Sequence, residues 1–215
     1  MLYKPKQIIR VVFGLFLFAV GIVMTVNANL GVAPWDVFHQ GLSEVFGITF
    51  GRANIIVGFA IIFVDILLGQ SIGWATIMNM LLIGTFIDIL MLNNLIPFFD
   101  GFIPNLIMLL LGILIEGYGC FIYVSGGMGA GPRDGLMVVL TRRTGKSVTV
   151  IKSSIEVVAV TVGILLGGHF GIGTIIMALF GGAIFEFAFR TVKFDIKSVK
   201  HRFIQDDLKL MRSRT

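Results

Sequence analysis

Two short stretches of the chain carry polar residues in an order that could bind a solute or an ion. In each, a glycine is followed by a proline, a large side chain and an aspartate: Gly31, Pro34, Trp35 and Asp36 in the first, Gly129, Pro132, Arg133 and Asp134 in the second. Proline suits the first position of a helix, and an acid in the first turn meets unpaired N–H groups and the positive helix end. The pattern predicts short helices over 34–46 and 132–144, each entered through a glycine hinge.

The two aspartates allow two interpretations. In the first, Asp36 and Asp134 only cap their helices. In the second, the helix ends approach each other and line a pathway, with Trp35 as an interface anchor and Arg133 as a cytoplasmic anchor or an anion contact. Unchanged transport and normal folding after Asp36→Asn and Asp134→Asn would exclude the second interpretation.

Three further acids fall within long apolar segments. A charge at the centre of a bilayer costs about 2.5–3.5 kcal/mol on insertion scales, so such acids normally face a partner or water. Glu116 lies near the middle of its segment and is the strongest candidate for function, with proton coupling as the hypothesis. Asp88 and Glu186 are pathway candidates near segment ends, where a structural role is the alternative.

Other polar side chains give weaker signals. Asp65 is expected to contact water near a segment end, and Lys152 is expected to pair with Glu156 one helical turn later. His39 and His169 lie in predicted connections, and two isolated histidines are weak evidence for a metal site. Neither a metal cluster, a cofactor nor a catalytic constellation is expected, so the chain is predicted not to be an enzyme.

Composition indicates the class of protein that must position these residues. Hydrophobic residues make up 56% of the 215-residue chain and charged residues 13%, a bias typical of a polytopic membrane protein. A bilayer span needs roughly 20 apolar residues. Six spans are therefore predicted: 9–28, 53–69, 73–92, 104–124, 149–167 and 172–189. The single cysteine, Cys120, excludes an intramolecular disulfide.

Basic residues predict the orientation of the spans. Sixteen of the seventeen Lys and Arg lie within the first ten residues, in 129–152 or after residue 189. Lys and Arg favour the cytoplasmic side, so both termini and the 129–148 connection are predicted inside. A basic tail suits anionic headgroups and does not indicate nucleic acid. Over 195–212 it is expected either to form a membrane-surface helix or to stay partly disordered.

The chain also repeats itself. Residues 14–89 align with residues 112–187 at a constant offset of 98, and eighteen of the 76 pairs are identical. Because each copy holds three spans, the second copy must enter the membrane from the opposite side, which predicts an inverted repeat. Many secondary transporters are built from such repeats, and a merely structural duplication is the alternative.

A resemblance to a known family is carried by four motifs: the run from Gly31 to Ser43, Gly51-Arg52-Ala53, Gly84 with Asp88, and the element from Gly129 to Gly135. They resemble the YczE/YyaS/YitT family of bacterial integral membrane proteins, and the resemblance covers nearly the whole chain. The chain departs from YitT-type members because a basic tail of 26 residues stands in place of their soluble domain. The resemblance implies a bacterial cytoplasmic membrane protein and carries over no substrate, reaction or functional residue.

Together these patterns predict an all-α polytopic membrane protein with six transmembrane helices in two inverted three-helix repeats, each with a short broken or re-entrant helix. The repeats are assigned to 1–100 and 101–191, and the basic tail to 192–215. The favoured function is a transporter or permease for a small solute or ion, in which the two halves rock between two states. The alternative is a regulatory or accessory membrane protein that acts through its tail. The expected partner is the lipid bilayer, and a homodimer is left open.

Overall fold

A computed structural model describes residues 3–212, and this part of the chain is all-helical. The helices are α1 (Pro5–Asn27), α2 (Pro34–Phe46), α3 (Phe50–Leu67), α4 (Trp74–Leu92), α5 (Phe102–Val124), α6 (Pro132–Thr144), α7 (Val148–Leu165), α8 (Ile172–Thr191) and α9 (Ile204–Arg212), with a 3-10 turn over Ile196–Ser198. Six of them, α1, α3, α4, α5, α7 and α8, are long and apolar enough to cross a membrane. This confirms the prediction of an all-helical chain with six candidate spans.

The short helices α2 and α6 have the predicted bounds. Each is 13 residues long and begins at a proline, Pro34 or Pro132, whose ring fits the first helical position. Each is followed by a glycine, Gly47 or Gly145, with a positive φ of 60° or 68°. Glycine adopts this left-handed conformation without steric cost, so the chain turns directly into the next long helix.

Helices α1 and α5 cross closely through two pairs of glycines. Gly14 faces Gly119 and Gly21 faces Gly112, and a Cβ added to any of the four would overlap the opposite helix. The pairing runs in reverse order, so the two helices are antiparallel. In lipid, the hydrophobic effect does not drive helices together. Small residues stabilise the contact because they let the two backbones approach closely and pack by van der Waals contacts.

One end of the helix bundle, called the tail face here, is covered by the C-terminal segment. The Tyr3 hydroxyl and the Trp74 indole N–H both donate to Asp207 Oδ2, at 3.2 and 3.0 Å. The backbone N–H of Arg202 donates to the Gly127 carbonyl at 2.9 Å. Residues 204–212 therefore form a helix that docks on the protein's own helices, whereas the sequence left a surface helix and partial disorder open.

The opposite end, called the far face, is closed by contacts between distant connections. The Asn27 side chain donates to the Ile96 carbonyl at 2.9 Å, and the backbone N–H of Gly173 donates to the Leu30 carbonyl at 2.6 Å. Helices α1, α4 and α7 run from the tail face to the far face, and α3, α5 and α8 run back.

The packing of the long helices differs between the two halves of the chain. Helix α3 packs tightly on α4, where a Cβ on Gly84 would lie 2.5 Å from the Gly51 carbonyl oxygen. Helices α7 and α8 do not pack along each other within the described residues. Gly182, the counterpart of Gly84 at the offset of 98, has no neighbouring atom within 4 Å of an added Cβ. A gap therefore separates α7 from α8.

Candidate functional site

The first turns of α2 and α6 meet in the interior of the protein. The guanidinium carbon of Arg133 lies 5.2 Å from the centre of the Trp35 ring, and Arg133 Nη2 lies 3.3 Å from His39 Nε2. An arginine over an aromatic face gains a cation–π attraction. The structure therefore brings two predicted site residues together, and it favours a contact at this junction over an interface anchor for Trp35.

A series of buried polar side chains supports Arg133. His39 is fully buried, and its Nδ1 lies 3.1 Å from Asp36 Oδ1 and 3.4 Å from Asn54 Nδ2. In the tautomer with a proton on Nδ1, the imidazole donates to Asp36 and its Nε2 accepts from Arg133. Asp36 thus positions Arg133 through His39, which is more than the capping role that the sequence left as an alternative.

A cavity of about 500 Å³ opens beside this junction. Residues of all the helices from α1 to α8 line it, and it extends to the C-terminal segment. Its charged wall consists of Arg133, Asp134, Lys152 and Glu156, with His201 on the tail side. Lys152 Nζ lies 3.8 Å from Glu156 Oε1, so the expected pair forms. The neutral wall combines polar and apolar side chains: Trp35, Asn54, Asn79, Cys120, Tyr123, Phe185 and Phe189.

Glu116 lies close to this junction on α5, where it packs against Gly21. Its side chain is only 6% exposed, and Oε1 has no hydrogen-bond partner among the described residues. Arg133 and Asp36 are the charged groups whose fields act on it. The carboxyl group therefore has the burial that a role in proton coupling needs, and that role stays a prediction.

Asp88 and Glu186 lie apart from the cavity. Asp88 accepts hydrogen bonds from the Thr49 hydroxyl at 2.5 Å and from the Gly51 backbone N–H at 2.8 Å, which ties α4 to the start of α3. Glu186 is exposed and pairs with Arg190 on its own helix at 2.6 Å. In this conformation both acids have structural partners and neither lines the cavity.

The predicted hinge glycines lie where the short helices are joined to the long ones. Gly31 has φ of +100° and packs against Gly171, and Gly129 has φ of +115° and packs against Gly73. A side chain at either position would be strained by the backbone and would collide with the neighbouring helix start. Both glycines are therefore required at these crossings, whether or not the crossings move.

Asp65 contradicts the expectation from the sequence. The expected contact with water is wrong, because the side chain is fully buried, and neither carboxylate oxygen has a hydrogen-bond partner among residues 3–212. The apolar packing of α3 against α6 hides it, which no local sequence pattern signals. It forms part of the wall of a second cavity at the tail face.

Two polar residues of the junction were missed by the sequence reasoning. His39 was assigned to a connection and Asn54 was not considered. The spacing of Asp36 and His39, three residues apart on a helix, was the available signal for a side-chain pair. Within the described part of the chain, no three His, Cys, Asp or Glu side chains lie close enough together to hold a metal ion.

Comparisons with known proteins agree with the membrane fold. The chain is 36% identical over 192 residues to the uncharacterized membrane protein YczE of Bacillus subtilis (strain 168), covering 86% of this chain and 87% of YczE. It is 32% identical over 182 residues to an uncharacterized protein of Haemophilus influenzae, covering 85% and 83% of the two chains. It is 23% identical over 179 residues to the uncharacterized protein YyaS of Bacillus subtilis, covering 80% and 86%.

No solved structure matches the chain significantly. The relatives confirm the resemblance to YczE and YyaS and the prediction of a multi-pass membrane protein with bacterial homologues. Residues 5–190, which contain all six candidate spans apart from the last residue of α8, match the model of a family of unknown function, DUF6198. The chain therefore belongs to the DUF6198 family of membrane proteins.

Proposed function

We propose that this protein transports a small solute with an anionic group, and that Arg133 binds that group in the 500 Å³ cavity. The observation that carries the proposal is the position of Arg133, which lies in the cavity wall and is held by His39 and Trp35. A guanidinium has five N–H donors, and the contact with His39 uses only one of them. Donors therefore remain for a carboxylate or phosphate, which arginine binds in a bidentate manner.

Reciprocal contacts support an inverted repeat as the basis of transport. Gly14 faces Gly119, and the residues 98 positions away, Gly112 and Gly21, face each other in the same way. Likewise, Gly31 packs against Gly171 at the start of α8, while its counterpart Gly129 packs against the start of α4. A twofold relation between the two halves would produce such exchanged pairs.

A difference between the halves supports two alternating states. At the far face, Asp88 and Thr49 join α4 to α3. At the tail face, the counterparts Glu186 and Ser147 bond within their own helices and not to each other, and α7 and α8 both contribute to the cavity wall. Under the proposal this conformation is open towards the tail face, which the basic residues predict to be cytoplasmic. In the other state, α7 would pack on α8 and α3 would separate from α4.

Ligand-dependent thermal stability of the purified protein tests the proposal. The panel consists of small carboxylates and phosphates, each with its amide or alcohol as a neutral control. We expect at least one anion to raise the unfolding temperature of the wild type and of Arg142→Gln, whose exposed arginine lies on the same helix. Arg133→Gln should abolish the shift. Uptake of that anion into liposomes, lost in Arg133→Gln, would then establish transport.

Two results would contradict the proposal. One is a stabilising anion whose effect persists in Arg133→Gln, since the cavity would then not be its site. The other is the absence of uptake of every stabilising anion in liposomes that contain correctly folded protein.

The alternative function, regulation through the tail, has one observation in its favour. Leu208 and Met211 on α9 are 54% and 50% exposed although the helix is docked, so an apolar surface remains for a lipid surface or a partner. Deletion of 195–215 distinguishes the two functions. Loss of the cellular phenotype with unchanged liposome uptake would favour regulation, whereas a cellular phenotype and an uptake that both persist without the tail would support transport by the helix bundle.

A further inference from the structure

We infer that the second cavity, beside Asp65 at the tail face, binds a monovalent alkali cation. The cavity has a volume of about 290 Å³ and lies next to the solute cavity, with Asp134 in the wall of both. Binding of the cation does not depend on the proposed function. Only its use as a coupling ion rests on transport.

The first observation is the unpaired carboxylate of Asp65. The side chain is fully buried, and both oxygens lack a hydrogen-bond partner among the described residues. An ionised carboxylate in such surroundings costs several kcal/mol unless a positive charge compensates it. Among the described residues, no Lys or Arg lines the cavity at this point, so a cation from solution would supply the compensating charge.

The second observation is the packing around this carboxylate. A Cβ added to Gly135 would lie 2.6 Å from Asp65 Oδ2 and 3.6 Å from Cγ of Gln70, so α6 lies close against the carboxylate at the cavity wall and only a glycine fits there. The counterpart of Asp65 in the second half is Gly163, which packs directly against the backbone of Val37, so the second half has no carboxylate at this position.

The third observation is the composition of the wall. No Lys or Arg contributes to the described wall, which combines apolar residues with five residues that carry side-chain oxygens: Asp65, Gln70, Ser71, Thr76 and Asp134. The Thr76 hydroxyl donates to the Ala130 carbonyl at 2.7 Å and accepts the Gly73 backbone N–H at 3.3 Å, which leaves one lone pair of its oxygen available. Hard cations prefer carboxylate, carbonyl and hydroxyl oxygens. Asp134 is exposed to the solute cavity, so Asp65 is the one buried carboxylate in the described wall that needs compensation, and a singly charged ion suits it.

Other charged groups near the cavity do not replace the cation. Arg143 donates to the Leu68 carbonyl at 2.9 Å and is exposed at the rim. His201 accepts the Gly129 backbone N–H on its Nδ1 at 3.2 Å, and burial lowers the pKa of this histidine, so its neutral form is favoured. The negative charge of Asp65 is therefore balanced by neither group.

The position of Asp134 connects the two cavities. A cation beside Asp65 would offset the negative field that Asp134 exerts on the solute cavity. An anion bound in the solute cavity should in turn raise the affinity of the second cavity for the cation. Such coupling is reciprocal, because each ligand must change the affinity for the other by the same factor. This gives the cation a direct way to favour binding of an anionic solute.

Cation-dependent stability and direct binding of radioactive sodium ions test the inference. Unfolding temperatures of the purified protein are compared in NaCl, KCl, LiCl and choline chloride at equal ionic strength and constant pH. We expect at least one alkali cation, Na⁺ being the first probe, to raise the unfolding temperature saturably relative to choline. Asp65→Asn should abolish this rise and the binding of labelled Na⁺. Asp100→Asn, which removes an exposed carboxylate at the far face, should preserve both.

A second variant guards against misfolding of Asp65→Asn. Gly135→Ala keeps the carboxylate but places a methyl group against it, so cation affinity should fall at least tenfold in a folded protein. The inference is overturned if no alkali cation stabilises the wild type and its stability instead varies with pH through Asp65 alone, since the site would then hold only a proton. Cation binding without solute uptake would contradict the proposed function and leave this inference intact.

Discussion

At the scale of single residues, the arginine of the second short helix depends on the acid of the first. Asp36 orients His39, and His39 in turn accepts from Arg133, so one buried chain joins α2 to α6. Buried polar networks of this kind are stable when every member has a partner, and removal of one partner leaves the others desolvated and unpaired. The two repeated aspartates are therefore not equivalent, although the sequence presents them as a pair.

We expect Asp36→Asn to lower the free energy of unfolding by about 1–3 kcal/mol, because it removes a charged acceptor from a buried histidine. Asp134→Asn should change it by about 0.5 kcal/mol or less, since this side chain is exposed to the cavity. Thermal unfolding of the purified variants measures the difference. Equal effects of the two substitutions would show that the chain through His39 carries no special stability.

At the scale of elements, the tight packing of α3 on α4 contrasts with the gap between α7 and α8. The difference is concentrated at residues related by the offset of 98: Gly84 has the Gly51 backbone against it, and Gly182 has open space. The two related halves of the sequence therefore pack in two different arrangements within one molecule. This is the property that alternating access would use, because each half could adopt the arrangement of the other.

The glycine pair provides a matched test of this contrast. Gly84→Ala should destabilise the protein by about 1–3 kcal/mol, because its Cβ would lie 2.5 Å from a backbone oxygen. Gly182→Ala should leave the free energy of unfolding within about 0.5 kcal/mol of the wild type, since nothing lies within 4 Å. If α7 closes on α8 during transport, Gly182→Ala should nevertheless slow uptake. Unfolding curves measure the two stability effects, and uptake rates measure the effect on transport. Normal uptake by Gly182→Ala would argue against closure of α7 on α8 at this position.

Cysteine cross-linking tests the second arrangement directly. In a Cys120→Ala background, Thr49→Cys with Asp88→Cys should form a disulfide readily, because Thr49 Oγ1 and Asp88 Oδ2 are 2.5 Å apart in the native protein. Ser147→Cys with Glu186→Cys should cross-link slowly in this conformation and faster when a transported solute is present. A cross-linking rate at 147 and 186 that no solute changes would contradict closure of α8 onto the start of α7.

At the scale of the whole molecule, the C-terminal segment links elements that are far apart in sequence. Asp207 is 2% exposed and bonds to Tyr3 before α1 and to Trp74 at the start of α4, and it also forms an ion pair with Arg202. His201 extends from the same segment into the walls of both cavities. The tail therefore covers the tail face, and its release would widen access to both cavities.

Docking of the tail should weaken on acidification. Burial lowers the pKa of His201 from its ordinary value of about 6.5, and its Nδ1 accepts from Gly129 only in the neutral form. The stabilisation is thus complete above about pH 6.5 and is lost as the pH falls through the lower pKa of the docked state. Hydrogen exchange of the Ile204 amide, which bonds to the Ile72 carbonyl at 3.0 Å, should accelerate over that range beyond its intrinsic pH dependence.

The control for this prediction is His201→Gln, which retains an acceptor for the Gly129 N–H but has no group that titrates. Its tail should show only the intrinsic pH dependence of exchange. An acceleration equal to that of the wild type would show that a group other than His201 causes the release of the tail.

The sequence by itself determined the membrane-spanning class, the six spans and the bounds of α2 and α6. These depend on local rules: an apolar run long enough to cross a bilayer, a proline that fits only the first turn of a helix, and a glycine that accepts a left-handed backbone. Lys152 and Glu156 were likewise predicted as a pair, because residues four apart on a helix are neighbours whatever surrounds them.

Only the tertiary structure decided which polar groups are partnered. The partners of His39 and the burial of Asp65 were not predicted, because the side chains that surround these two residues come from helices far away in the chain. Asp88 and Glu186 look equivalent in sequence, yet one joins two helices and the other bonds within its own helix. Burial and pairing depend on which helix faces meet and how closely, and a repeat that packs differently in its two halves gives identical motifs different surroundings.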